Sequence, residues 1–118
     1  MPKLFMLSPN FPDKALHADH LFYCPDCAVI EGVLKYYPEL KEHFDINYIG
    51  FSVPRKELVE LIGDKYQGCP VLIFHKDEMN EAELKLGDFL QSGDYFFLNK
   101  TKTIGNYFGN KYKVGHPH

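Results

Sequence analysis

The sequence has no tryptophan, only three cysteines and no long run of apolar residues. It also has no surplus of positive charge, because 13 basic residues face 16 acidic ones and the formal net charge is −3. A protein that gathers nucleic-acid phosphates needs such a surplus, so we expect no nucleic-acid partner. The longest apolar stretches, such as residues 71–74, are too short to cross a bilayer, and we expect no membrane partner. The first residues lack the apolar run of a secretory signal, which predicts a cytoplasmic protein.

Length and composition indicate one globular domain spanning residues 1–118. The chain has 118 residues, of which 45% are hydrophobic and 25% charged. A chain of this size buries one modest core but not two. No internal repeat or low-complexity stretch suggests a boundary within it.

Apolar patterning predicts a strand and then a helix in the first third of the chain. Residues 3–8 form a short apolar run that is typical of a buried strand. A loop of about ten residues should follow, carrying His17 and His20. The next segment begins with Pro25, which suits the first turn of a helix, and is ended by Pro38. Its apolar stripe has the spacing i, i+3, i+4 and i+7 and consists of Ile30, Val33, Leu34 and Tyr37.

A second strand and helix are predicted in the middle of the chain. Residues 45–51 have strand character, and Ser52 is the expected N-cap of a helix with Pro54 in its first turn. Gly63 should close that helix. Residues 71–74 then predict a third strand.

The last third is predicted less uniformly. Residues 75–93 are polar and indicate a loop or hairpin excursion with weak order. Residues 94–98 predict a fourth strand, and residues 101–112 a final helix with an inward apolar face. The fold class is therefore α/β, with a mixed four-stranded sheet flanked by helices. We expect the first two strands to pair in parallel through a right-handed crossover and the last two to be antiparallel.

The cysteines indicate a chemical site. An odd number of cysteines in a reducing compartment argues against a structural disulfide framework and favours redox chemistry or metal binding. Cys24 and Cys27 stand three residues apart at a helix start, where free N–H groups and the helix dipole favour a thiolate on the first of them. Cys27, one turn further on, is placed to resolve a mixed disulfide. The pattern therefore predicts thiol–disulfide exchange with Cys24 and Cys27 as catalytic residues.

The chain resembles the thioredoxin/glutaredoxin fold superfamily. The residues that carry the resemblance are Cys24-Pro25-Asp26-Cys27 and Gly68-Cys69-Pro70-Val71. More narrowly, the whole chain, including its closing segment 115–118, is similar to an uncharacterised bacterial family of thioredoxin-like domains. That narrower similarity implies a fold and no established activity.

The superfamily resemblance implies a substrate groove. It implies that Pro70 follows a cis peptide bond and faces the cysteine pair, with Cys69, Tyr23 and Pro25 as further substrate-binding residues. It also implies a thiol or disulfide substrate, either a protein or a small molecule, with glutathione as a candidate co-substrate. The sequence departs from redox thioredoxins in having Tyr23 before the cysteine pair instead of tryptophan, and a cysteine at position 69.

Two other functions compete with redox chemistry. The spacing of His17, His20, Cys24 and Cys27, with Cys69 brought near by Pro70, is short enough for one tetrahedral site holding zinc or a similar soft metal. A non-catalytic adaptor, whose groove binds a partner while the thiols are incidental, is the other alternative. Cys69 is equally consistent with a small core residue, and the two histidines with a solvated loop.

Overall fold

A computed structural model describes all 118 residues of the chain. The strands are β1 (Lys3–Leu7), β2 (Phe11–Asp13), β3 (His17–Phe22), β4 (Asp45–Ile49), β5 (Val71–His75), β6 (Leu90–Ser92) and β7 (Tyr95–Leu98). The α-helices are α1 (Pro25–Tyr36), α2 (Lys56–Ile62), α3 (Glu81–Leu84) and α4 (Thr101–Tyr112), and two 3-10 turns lie at Pro38–His43 and Lys76–Glu78. Five strands form one mixed sheet in the order β4-β1-β5-β7-β6, while β2 and β3 form a separate hairpin.

The central strands β1 and β5 are buried along most of their length. Residues 4–7 and 71–74 are all buried, as expected for strands covered on both faces. β1 pairs in parallel with β4 and antiparallel with β5, and β5 pairs antiparallel with β7. The predicted parallel opening and antiparallel close of the sheet are therefore confirmed.

The prediction of a four-stranded sheet is wrong by one strand. The fifth strand is β6, which forms an antiparallel edge hairpin with β7. It has three residues, two of them exposed, so its sequence carries neither an apolar run nor an alternating pattern. Pairing with β7 therefore defines this strand, since its own side chains show no strand pattern.

The two long helices begin and end where the apolar periodicity predicts. α1 buries Cys27, Ile30 and Leu34, and α4 buries Ile104, Tyr107 and Phe108 among others. These side chains join the strands in one core cluster of 21 residues. None of the helices combines the length and hydropathy that a bilayer crossing requires.

The predicted loop between β1 and α1 is instead the β2–β3 hairpin. Phe11 pairs with Phe22 across it, and its outer residues are almost all exposed. The Phe11 ring stacks on Phe51 at 4.4 Å between centroids, which ties the hairpin to the segment after β4. Apolar patterning does not predict this hairpin, because its exposed strands of three and six residues lack an alternating apolar pattern.

The second helix starts three residues later than predicted. Ser52 is not its N-cap: the helix begins at Lys56, Arg55 occupies the cap position, and Pro54 follows a cis peptide bond in the preceding segment. The guanidinium of Arg55 donates to the backbone carbonyl of Phe51, which holds this segment outside the helix. The predicted end at Gly63 is confirmed, with its φ of +84°.

The polar stretch after β5 is more ordered than expected. It contains the second 3-10 turn, α3 and β6, in place of a weakly ordered excursion. The side chains of His75 and Glu78 cap the 3-10 turn reciprocally, and Asn80 caps α3 by accepting from the Glu83 N–H at 2.8 Å. These elements were missed because side-chain caps stabilise them, whereas an apolar face is what periodicity detects.

The C-terminal segment packs directly on α4. A Cβ atom on Gly109 would lie 2.5 Å from the His116 ring, and one on Gly105 would lie 2.6 Å from Cγ of Pro117. The two glycines therefore allow a close approach that any larger residue would prevent.

Candidate dithiol site

The start of α1 places Cys24 at the end of the sheet. Cys24 is the N-cap residue, with extended backbone angles, and its Sγ accepts a hydrogen bond from the Cys27 N–H at 3.2 Å. Pro25 occupies the first helical position, and Asp26 lies in the first turn. The sulfur of Cys24 therefore meets the amide-rich end of a 12-residue helix while remaining partly exposed.

Cys27 lies one turn deeper and is buried. Only 4% of its surface is exposed, and its Sγ accepts a hydrogen bond from the backbone N–H of Leu7 at 3.5 Å. Burial, the hydrogen bond with Cys24 and the charge of a Cys24 thiolate raise the pKa of Cys27 well above its ordinary value. Cys27 is therefore a protonated thiol at neutral pH.

The loop before β5 reaches the same sulfur. The Cys69–Pro70 peptide bond is cis, as the resemblance implied, and Pro70 is buried. The carbonyl oxygen of Cys69 lies 3.6 Å from Sγ of Cys24, close enough for a weak S–H···O hydrogen bond. The structure thus brings Cys24 and the Cys69–Pro70 loop together from 45 residues apart in sequence.

The thiol of Cys69 is half-buried, and all three cysteines are free. Burial raises the pKa of Cys69 to about 11, against the lowering effect of the Arg55 charge and with a further rise from Cys24. Cys69 is therefore also a protonated thiol at neutral pH.

Arg55 is the residue that sequence reasoning missed. Its guanidinium donates to the carbonyl of Gln67 at 2.6 Å and twice to that of Phe51, at 2.8 and 3.0 Å. Its backbone N–H also donates to Oε1 of Gln67 at 2.6 Å. Arg55 thereby joins the segment after β4 to the segment that leads into Cys69. The sequence feature that could have indicated a special role for Arg55 is its rarity, since the chain has one arginine among its 13 basic residues.

The predicted metal ligands lie on three segments: the histidines on β3, Cys24 and Cys27 at the start of α1, and Cys69 before β5. The rings of His17 and His20 stack on each other at 3.5 Å between centroids, and both side chains are exposed on β3. No group of three or more His, Cys, Asp or Glu side chains is arranged to hold a metal ion.

Tyr23 and Pro25 occupy different surroundings. Pro25 is exposed in the first turn of α1. Tyr23 is also largely exposed, and it lines a pocket together with Cys27, next to the end of β1 and β4. The Cys69–Pro70 loop instead leads into β5, on the other side of β1.

Fold and site together define a class: a mixed α/β protein with two free thiols at the start of a helix, beside a cis proline. The model of a family described as protein of unknown function, DUF3088, matches residues 1–116, so the chain belongs to this family. This confirms the predicted membership in an uncharacterised family. Neither the curated proteins nor the solved structures include a match to the chain.

Proposed function

We propose that the protein is a thioredoxin-like thiol–disulfide oxidoreductase that uses Cys24 and Cys27. The observation that carries the proposal is the position of Cys24 as the N-cap of α1, where its sulfur accepts the Cys27 N–H at 3.2 Å. A hydrogen-bond donor and a helix N-terminus directed at one sulfur stabilise its thiolate, which is the attacking species in disulfide exchange.

The thioredoxin-like assignment is part of this proposal. It is supported by a parallel β-α-β opening, by a cis proline immediately before an antiparallel strand, and by a long C-terminal helix. These features agree with the residues that carry the sequence resemblance, at both Cys24–Cys27 and Pro70.

The reaction proceeds in two steps. The Cys24 thiolate attacks one sulfur of a substrate disulfide, the substrate S–S bond breaks, and the other substrate sulfur leaves as a thiolate that takes up a proton. Cys27 then loses its proton and attacks Sγ of Cys24, which releases the second substrate thiol. The product is a Cys24–Cys27 disulfide, so two electrons pass from the protein to the substrate.

The raised pKa of Cys27 gives the two steps their order. Burial first, and then the hydrogen bond and charge of Cys24, raise the pKa of Cys27 and keep its thiol protonated during the first step. Once Cys24 is bonded to substrate, that charge is gone and the pKa of Cys27 falls. Resolution is therefore favoured only after the first step.

The loop of Cys69 and Pro70 forms the substrate side of the proposed site. The carbonyl of Cys69 lies 3.6 Å from Sγ of Cys24, within reach of a peptide or small thiol bonded to that sulfur. We propose no specific substrate; glutathione is one candidate small thiol.

Thiol counting after mild oxidation tests the proposal. We expect the three free thiols of the reduced protein to fall to one, with mass spectrometry locating the bond between Cys24 and Cys27. A second assay follows the reduction of insulin disulfides by the protein. The Cys24→Ser variant should lose both the Cys24–Cys27 bond and insulin reduction, whereas the matched Cys69→Ser variant should retain both. A protein that keeps all three thiols free under oxidised glutathione would contradict the proposal.

Metal analysis and binding assays on the same protein preparation distinguish the two alternative functions, a metal-binding module and an adaptor. About one equivalent of zinc per chain, lost with a chelator, would indicate the metal-binding module instead. An adaptor would bind its partner unchanged as Cys24→Ser and would not reduce insulin.

A further inference from the structure

A second feature of the molecule, separate from the Cys69–Pro70 loop, is a half-open pocket of about 600 Å³ between α1, β1 and β4. This volume lies in the range of small-molecule sites in proteins. Its floor is apolar and is formed by Met6, Leu7 and Ala28. Cys27 contributes one wall of the pocket, but binding a ligand in this pocket does not require the Cys27 thiol to react.

The rim of the pocket carries two tyrosines. Tyr23 is 64% exposed and Tyr48 is 52% exposed, although both are large aromatic side chains. Exposed aromatic rings around an apolar floor are typical of binding sites. Their faces also attract cations.

The only charged side chain in the lining is Glu31. It projects from α1 one turn after Cys27, and its Oε1 accepts a hydrogen bond from the hydroxyl of Tyr48. None of the ion pairs in the structure includes Glu31. An apolar pocket thus presents one carboxylate that no basic side chain neutralises.

The phenol of Tyr48 keeps this arrangement fixed. Partial burial of the Tyr48 phenol and its hydrogen bond with Glu31 raise the pKa of Tyr48 to about 12, so its hydroxyl remains a donor to the carboxylate at physiological pH. The second oxygen of Glu31 and the lone pairs of the phenol remain as acceptors. Two acceptors at one rim suit a group with several N–H donors and a positive charge.

We propose that this pocket binds a small primary amine with an aromatic or aliphatic body. The ammonium of the ligand would lie at Glu31 and Tyr48, and its body would pack over the apolar floor. A carboxylate ligand would be repelled by Glu31, and a neutral hydrocarbon would leave the acceptors without a donor. The proposal holds whether or not the cysteine pair is redox-active.

The lack of tryptophan provides a direct test. Tryptamine added to the reduced protein is then the only indole present, and its fluorescence anisotropy reports binding. Two matched probes are 3-methylindole, which is neutral, and indole-3-propionate, which is an anion. We expect tryptamine to bind about tenfold to a hundredfold more tightly than 3-methylindole, the range for a charge-assisted hydrogen bond, and indole-3-propionate to bind more weakly still.

Variants assign the preference to the pocket. Glu31→Gln should abolish the advantage of tryptamine over 3-methylindole, and Ala28→Leu should weaken both probes by filling the floor. Glu60→Gln, which removes an exposed carboxylate on α2 outside the pocket, is the matched control and should change nothing. Circular dichroism identifies any variant that fails to fold, and amide chemical shifts at Ala28 and Glu31 in the unmodified protein locate the probe independently.

Four results would overturn the proposal. Tryptamine could fail to bind at millimolar concentration, it could bind no more tightly than 3-methylindole, or Glu31→Gln could retain the full preference. Shifts confined to residues outside the pocket would count equally against it. None of these results bears on the cysteine pair, whose test is the thiol count after oxidation.

Discussion

Replacing Arg55 with alanine should destabilise the fold more than any other single change on the surface around the cysteines. The guanidinium donates three hydrogen bonds to two backbone carbonyls, those of Phe51 and Gln67, at 2.6–3.0 Å. Its centre also lies 5.6 Å from the centroid of the Phe51 ring. Hydrogen bonds to a charged donor contribute about 1.5–3 kcal/mol each, but bonds that share one side chain and a partly exposed setting do not add in full.

We therefore expect Arg55→Ala to lower the free energy of unfolding by about 2–4 kcal/mol. Arg55→Lys should recover only part of the loss, because an ammonium cannot reach both carbonyls in a fixed fork. Urea denaturation followed by circular dichroism measures the change. Lys56→Ala is the matched control, since Lys56 is exposed and makes no ion pair, and it should cost less than about 0.5 kcal/mol. Equal losses in Arg55→Ala and Lys56→Ala would refute the reasoning.

Three further outcomes are expected. Burial raises the pKa of Cys69 to about 11, so the stabilisation that its thiol contributes below pH 9 should be lost as the pH rises toward 11. Urea midpoints across that range measure the loss, and Cys69→Ala should lessen the fall without removing it, because the raised pKa of Cys27 acts in the same direction. Phe108→Ala should cost about 3–5 kcal/mol because this ring is fully buried, whereas Tyr36→Ala, at an 80% exposed ring, should cost little; equal costs would contradict the packing. Gly109→Ala places a Cβ 2.5 Å from the His116 ring, so the C-terminal segment should leave α4 and become sensitive to carboxypeptidase, while Gly32→Ala, with open space around it, should leave it protected.

The two long helices could be predicted from sequence because they are long enough to show a period. α1 and α4 each have 12 residues and a repeated apolar face, and prolines or glycines mark their limits. The position of Cys24 at a helix start followed from the same pattern. The juxtaposition with Pro70 came from the resemblance, since no local pattern relates residues 45 positions apart.

The remaining features depend on contacts that no local pattern records. The β2–β3 hairpin is held by the stacking of Phe11 on Phe51, across 40 residues of sequence. The pocket exists because the parallel register of β1 and β4 sets Tyr48 beside Met6, within reach of Glu31. Side-chain pairs of this kind are selected by the folded structure, so they become visible only after the sheet is assembled.

Cys27 belongs to both proposals, and this has a measurable consequence. Its side chain forms a wall of the amine pocket, and its thiol must lose a proton to resolve the mixed disulfide on Cys24. A ligand seated in the pocket covers Cys27, of which only 4% is exposed, so the proton that its thiol must lose has less access to water.

Saturating tryptamine should therefore slow the second step of exchange and leave the first unchanged. With glutathione disulfide as substrate, mass spectrometry should detect accumulation of the mixed disulfide between glutathione and Cys24 when tryptamine is bound. The Glu31→Gln variant, which should not bind the amine, provides the control. Its mixed disulfide should be resolved at the same rate with and without tryptamine. Unchanged resolution in the unmodified protein, with binding verified by anisotropy, would mean that the pocket and the cysteine pair act independently although Cys27 lines both.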